Sequence, residues 1–329
     1  MIQLGNTYRD FAPIAQEWYE MVEGYFNRTN CYRQMILKIW NYSKKGLSVE
    51  DKLLGSRVLI DFRFHLADYV LANEEELKNR ASRYKEQVEG HPVLHKLLKE
   101  IFKKLYADFR AYNANRLVMP SKKGKEKVAY HFFRRLNVRT CPYCNRQYTF
   151  TISSSTANTS PEYDHFYDKS EYPVLAVSFY NLVPSCHTCN HLKGTRKITV
   201  NPYFHRMEGR FAVVDPKVKK KEKTDVMLLK KGDWKLDWIS EGEEVKNVEV
   251  FGLRELYAQH DDYVDEIISK TQAYSKCARE ALVDAFQDSG YTEKDVSNFV
   301  WGPYLDVVNH GKRPLSKLTF DLLKQFHVI

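Results

Sequence analysis

Four of the chain's six cysteines fall in two C-x-x-C pairs, Cys141/Cys144 and Cys186/Cys189, with 41 residues between the pairs. No other feature restricts the fold so tightly. Two residues between ligands let a tight turn aim both thiolates at one tetrahedral ion, with Zn–S near ~2.3 Å. Two such turns complete a four-thiolate site without an open position, so the spacing predicts a structural Zn²⁺. A redox pair is the competing reading of one C-x-x-C, but neither pair sits in a βαβ pattern. Cys31 and Cys277 stand alone in helical-looking segments and read as small buried hydrophobes.

The sequence around the cysteines has two characters. Before residue 139 the apolar positions recur at helical spacing. Ile14, Trp18, Met21, Val22 and Tyr25 form one stripe, and Leu54, Val58, Leu59, Phe62, Leu66 and Tyr69 a second, opened by Ser48 and Asp51 as a cap. Leu94, Leu97, Leu98, Ile101, Phe102, Leu105, Tyr106 and Phe109 make a third, just after Pro92. From 139 the period shortens: Tyr148, Phe150 and Ile152 alternate as a strand does, and 161–166 reads as its return. Ser185 is placed to cap a short helix that ends at Gly194. Residues 203–250 look strand-like and charged, with an exposed lysine run at 217–223, and helices follow at 252–289, 292–308 and 314–327. The expected organisation is α+β: a basic helical region (1–138), a cysteine-braced core (139–205), and a strand-containing then helical region (206–329).

Charge follows the same division. The net charge is +9, and residues 1–138, with 25 basic and 16 acidic side chains, carry all of it. Lys122, Lys123, Arg134 and Arg135 lie in a basic run just before the first cysteine pair, which suggests a surface for a polyanion such as nucleic acid. An aromatic content of 14% argues against a disordered chain. No apolar run approaches the ~18–20 residues of a membrane span, and the first residues do not resemble a secretory signal. A soluble cytoplasmic protein without a membrane partner is the expectation.

Between the cysteine pairs stand Asp164-His165 and then Asn181-Leu182, and the second pair continues as Cys186-x-x-Cys189-Asn190-x-x-Lys193-Gly194. This combination resembles the HNH endonuclease superfamily, the ββα-metal fold of four-cysteine type. The resemblance covers 139–205, including Asn201-Pro202-Tyr203, and leaves the flanking regions unexplained. It implies a metal-dependent endonuclease that hydrolyses phosphodiester bonds in nucleic acid, DNA ahead of RNA. His165 would be the base that activates water, and Asn181 would orient it. Asp164 and Asn190 would hold a catalytic Mg²⁺ or Mn²⁺. Asn190 replaces the histidine that many members carry, which favours a hard cation. Lys193 would touch phosphate or cap its helix. His187 and His191 read as substitute ligands or as surface histidines.

Helical segments around such a core also resemble bacterial defence nucleases, including the HNH subunit of Septu-like antiphage systems. That resemblance implies an ATPase partner subunit. The alternative from a different class is a non-catalytic zinc module that binds nucleic acid or protein. It would need the cysteines but has no use for Asp164, His165, Asn181 and Asn190 at these spacings.

Overall fold

Trp18 stands where the first helices meet, and its surroundings explain how the long apolar stripes are used. A computed structural model describes residues 2–43, 46–118, 126–154, 156–218, 222–223, 225–230, 232–240, 242–274, 276–287 and 289–329. Helix α1 (Ala12–Arg28) has a proline in its first turn and buries Trp18, Met21, Val22 and Tyr25. After α2 (Cys31–Trp40), helix α3 (Val49–Phe64) opens with a reciprocal cap. Ser48 Oγ accepts from Asp51 N–H at 3.0 Å, and Asp51 Oδ2 accepts from Ser48 N–H at 2.8 Å. The second stripe is not one helix: the chain turns at His65, and Leu66 and Tyr69 belong to α4 (Leu66–Val70). Next come α5 (Glu74–Val88) and α6 (Pro92–Ala111), which buries all eight residues of the third stripe.

Helices α7 (Asn115–Val118) and α8 (Val128–Leu136) lead to the first cysteine pair. Trp18 meets Phe109 of α6 and Phe132 of α8 edge to face, at centroid distances of 5.1 and 4.7 Å. Asn137 ends α8 at φ +47°, a left-handed position that asparagine tolerates.

The central strands pair differently from the sequence expectation. The strand expected from Tyr148 shrinks to β1 (Ile152–Ser153), which pairs with β2 (Asn158–Thr159) alone. Strand β3 (Glu162–His165) pairs antiparallel with β4 (Leu182–Ser185), setting Asp164 opposite Val183 and His165 opposite Leu182. Burial explains the choice. Tyr148, Phe150 and Ile152 stay about half exposed, with no layer to cover them, whereas all four β4 residues are buried. Helix α9 (His187–Lys193) follows, capped by Cys186 rather than Ser185 and ended by Gly194 at φ +50°.

In the last region β5 (Arg210–Val214) and β6 (Lys235–Ile239) form a hairpin. Six helices follow: α10 (Val245–Val250), α11 (Leu253–Tyr257), α12 (Asp261–Ala273), α13 (Lys276–Gln287), α14 (Glu293–Trp301) and α15 (Ser316–Gln325). Helix α15 closes the free edge of β5. Gln325 accepts from Val213 N–H at 2.8 Å and donates to Val213 O at 2.7 Å, while Asp321 accepts from Phe211 N–H at 3.0 Å.

The architecture is mixed α+β, mostly helical, with three two-stranded sheets among the described residues. One apolar core runs through 1–138, 139–205 and 206–329 alike. Cys31 is half-buried and Cys277 is exposed, so Cys277 is not the buried hydrophobe expected of it. No helix among the described residues is long and apolar enough to cross a membrane.

Candidate metal centre and the histidine beside it

The first cysteine pair sits in a tight turn after α8. Asn145 N–H donates to Cys141 O at 2.7 Å, and Arg146 N–H points at Cys144 Sγ from 3.4 Å. The second pair opens α9, where Cys189 N–H points at Cys186 Sγ, also from 3.4 Å. Donors aimed at sulfur favour the thiolate. All four sulfurs lie within 4.8 Å of one another and are buried, with Cys144 and Cys186 4.0 Å apart. Zn–S bonds of ~2.3 Å in a tetrahedron require sulfurs about 3.8 Å apart. The donor set therefore fits a structural zinc ion. Among the described residues no second group of three or more His, Cys, Asp or Glu side chains converges this way.

The C-terminal region props the first turn. Asn145 is fully buried at φ +49°. Its Nδ2 donates to His310 O at 3.0 Å, its Oδ1 accepts from Lys317 N–H at 3.1 Å, and its backbone oxygen accepts from Leu315 N–H at 2.6 Å. Tyr257 donates its hydroxyl to Cys144 O, and Tyr143 stacks on Phe251 at 4.4 Å.

Strand alternation divides the Asp164-His165 dipeptide between two faces of β3. Glu162 and Asp164 face α9. Lys193 Nζ lies 3.0 Å from Asp164 Oδ1 and 2.6 Å from His165 O, and Tyr143 donates to Asp164 Oδ2 at 2.7 Å. Burial pushes the Asp164 carboxyl above its usual range, with Lys193 and Tyr143 opposing that shift. Asn190 donates to Glu162 Oε2 at 2.5 Å, and His187 Nδ1 lies 2.9 Å from Glu162 Oε1.

Two expectations change as a result. Asp164 and Asn190 do not form a shared ligand pair: one is engaged by a buried ammonium and a phenol, the other by a neighbouring carboxylate. The residues present do not fit a divalent ion held between them. Lys193, read as a phosphate contact or a helix cap, has a fully buried side chain spent on the strand. It is the last residue of a seven-residue helix that lies on β3, so its stem points into the core. His187 and His191 remain at the surface.

Tyr163 and His165 face the other way. Tyr163 stacks on Phe133 of α8 at 3.9 Å, and His165 meets Tyr106 of α6 edge to face at 4.7 Å. His165 Nε2 lies 3.1 Å from Ala176 O. A carbonyl can only accept, so Nε2 carries the proton and Nδ1 keeps the lone pair. No hydrogen bond engages Nδ1 among the described residues. Burial, helped by nearby Lys169, holds the imidazole well below its usual pKa and keeps it neutral.

Asn181 is hydrogen-bonded to the loop that holds Ala176. Its amide donates to Tyr167 O and Leu175 O at 3.1 and 3.0 Å, and its Oδ1 accepts from Tyr167 N–H at 2.7 Å. Trp18 Nε1 secures the same loop from α1 by donating to Val177 O at 2.8 Å. The orienting role expected of Asn181 thus has a geometric counterpart in loop 166–177.

Two arginines of the basic run have carboxylate partners. Arg134 pairs with Glu126 at 2.5 Å and Arg135 with Glu17 at 3.0 Å, so both are already compensated. Lys122 and Lys123 lie outside the described residues. Sequence reasoning missed Tyr106, Arg110, Lys169 and Asn145. The first two were hidden in a helix read as core and solvated face, and Asn145 showed only as a residue after a cysteine.

No protein-family profile, curated protein or solved structure matches this chain. The fold and site define an α+β protein with a buried four-cysteine centre suited to zinc.

Proposed function

We propose that the protein is a phosphodiester hydrolase acting on nucleic acid, with His165 as the base. The observation that carries this reading is the His165 imidazole, neutral and held through Nε2 by Ala176 O, with Nδ1 left for a proton. It stands at the end of a strand braced by the cysteine centre, in the motif order that resembles HNH nucleases. In the reaction, a water oxygen bonds to phosphorus as the bond to the leaving oxygen breaks. The water's proton passes to Nδ1, and the departing oxygen takes one from solvent. Asn181 and Trp18 hold the loop whose carbonyl sets the tautomer. No step is routed through a divalent ion, because Asp164 and Asn190 are engaged elsewhere.

A zinc-braced binding module without catalysis is the second reading, and the buried Asp164–Lys193 pair favours it. One experiment separates the two. The zinc-loaded chain is incubated with plasmid DNA and with RNA, in Mg²⁺, Mn²⁺ or EDTA, beside His165→Ala. The hydrolase reading expects strand cleavage by the parent protein and at least a hundredfold loss in a variant with unchanged melting temperature. Cleavage at the parent rate by His165→Ala, or none by the parent under any condition, overturns it.

A further inference from the structure

The ring beside His165 belongs to Tyr106, and what surrounds that ring is unlike the rest of the molecule. The Tyr106 side chain is buried, and among the described residues no protein group makes a well-formed hydrogen bond to its hydroxyl, with Arg110 alone beside it. A buried hydroxyl left unpaired is costly, so such a group marks a place where a partner is wanted. Two cations lie over the same ring: Lys169 Nζ at 5.3 Å and Arg110 Cζ at 5.6 Å from its centroid. They come from different parts of the chain, Arg110 from the last turn of α6 and Lys169 from the loop after β3.

Neither cation makes an ion pair among the described residues, and Arg110 stands close enough to the Tyr106 hydroxyl to pull its pKa down against the effect of burial. The nearby acids are committed elsewhere: Asp164 to Lys193 and Tyr143, Glu162 to Asn190 and His187, and Asp168 to Ser170. Burial and the charges of Arg110 and Lys103 hold the Lys169 ammonium below its usual pKa, against the opposite pull of Asp168 and Asp164. Arg134 and Arg135, by contrast, each have a carboxylate in contact. Uncompensated positive charge beside an unsatisfied donor is complementary to an oxyanion.

We propose that Arg110, Lys169 and the Tyr106 hydroxyl form the subsite that receives a phosphodiester next to His165. The helical region then supplies substrate-binding groups, with guiding charge on α6 and the loop after β3. This inference rests on the hydrolase reading for the identity of the anion, but its test does not depend on turnover.

Binding of fluorescein-labelled 20-mers, DNA and RNA in separate arms, is followed by anisotropy over a salt series. The zinc-loaded full chain carries His165→Ala in every sample to stop cleavage. Adding Arg110→Ala and Lys169→Ala together should weaken binding at least tenfold and lower the slope of log Kd against log salt by about 1–2. Arg110→Lys should retain most of the affinity. Arg134→Ala with Arg135→Ala should change it by less than threefold. Unchanged affinity and slope in a folded Arg110/Lys169 double variant would overturn the subsite, as would absence of binding by the parent. Binding lost in the double variant, while the protein with His165 intact cleaves nothing, would keep the subsite and overturn the hydrolase. A difference between the DNA and RNA arms identifies which phosphate chain is preferred.

Discussion

The two faces of β3 use polar side chains in opposite ways. Towards α9, the carboxylates of Glu162 and Asp164 each contact partners, and Asp164 and Lys193 are sealed from water. Towards α6, His165 lies beside a phenol whose hydroxyl Arg110 alone approaches and two cations that have no counter-ion among the described residues. The satisfied face behaves as structure, since breaking one member of a buried pair strands the other. The unsatisfied face has little to lose from substitution, which is how a surface shaped for a ligand behaves. Adjacent motif letters can therefore serve different ends when a strand divides them.

The largest expected effect lies beneath both faces. Cys186→Ser should abolish stoichiometric zinc and unfold the core, because structural zinc sites contribute on the order of 10 kcal/mol to folding. Metal analysis and thermal unfolding check this; a variant that melts like the parent would remove the zinc centre as the brace of β3 and α9. Next comes the satisfied face. Asp164→Asn should cost about 3–5 kcal/mol in chemical denaturation by leaving the Lys193 ammonium buried and unpaired. Asp164→Leu combined with Lys193→Met should cost less than Asp164→Asn alone. If the double variant is the less stable, the pair is more than a mutual accommodation.

Acid sensitivity should arise at His165, which burial holds well below its usual pKa, and behind the first cysteine turn. His310 is buried, and burial, followed by Lys317, pushes its pKa down to about 4. The folded state holds it neutral while the unfolded chain protonates near 6.5, so unfolding gains protons as pH falls. Stability should drop between about pH 6.5 and 4 by about 3 kcal/mol, and His310→Leu should flatten that segment of the profile. A profile with the same slope in the variant would assign the loss to other groups, the cysteines first.

A smaller effect is expected at the hinge between the faces. Asn181→Ala leaves loop 166–177 short of three hydrogen bonds and should cost about 1–3 kcal/mol while lowering cleavage. Loss of cleavage with an unaltered melting temperature would mean that Asn181 acts on the substrate directly. The smallest effect sharpens the comparison most. Lys169→Ala and Arg110→Ala should leave the melting temperature unchanged or raise it, since neither removes an ion pair. A clear fall would show that the cations are structural after all.

Legibility in the sequence followed local rules and failed where distant elements meet. The eight-residue stripe of α6, the Ser48 cap and the Gly194 stop were readable because their causes lie within a few residues. The cysteine spacing foretold the centre for the same reason. Strand pairing was misjudged because alternation at Tyr148, Phe150 and Ile152 mimics a half-buried strand, whereas pairing went to the apolar run at 182–185. The strand contact of Lys193 was not legible, since spacing tells which helix face a residue occupies but not which way the helix is laid on the sheet. Arg110 could not be singled out by any local signal. Its importance comes from Tyr106 and Lys169, which α6 and the β3 loop bring beside it.

The bonds made by Asn145 also carry a meaning for synthesis of the chain. Its partners His310, Leu315 and Lys317 lie more than a hundred residues beyond the last zinc cysteine. At about 5–20 residues per second, a ribosome has already finished all four cysteines for on the order of ten seconds before these partners exist. During that interval the first turn can gather a metal but cannot be locked. Final closure of the centre thus waits for residues 310–317, and a chain halted before residue 310 should emerge with an exchangeable, oxidisable cysteine turn.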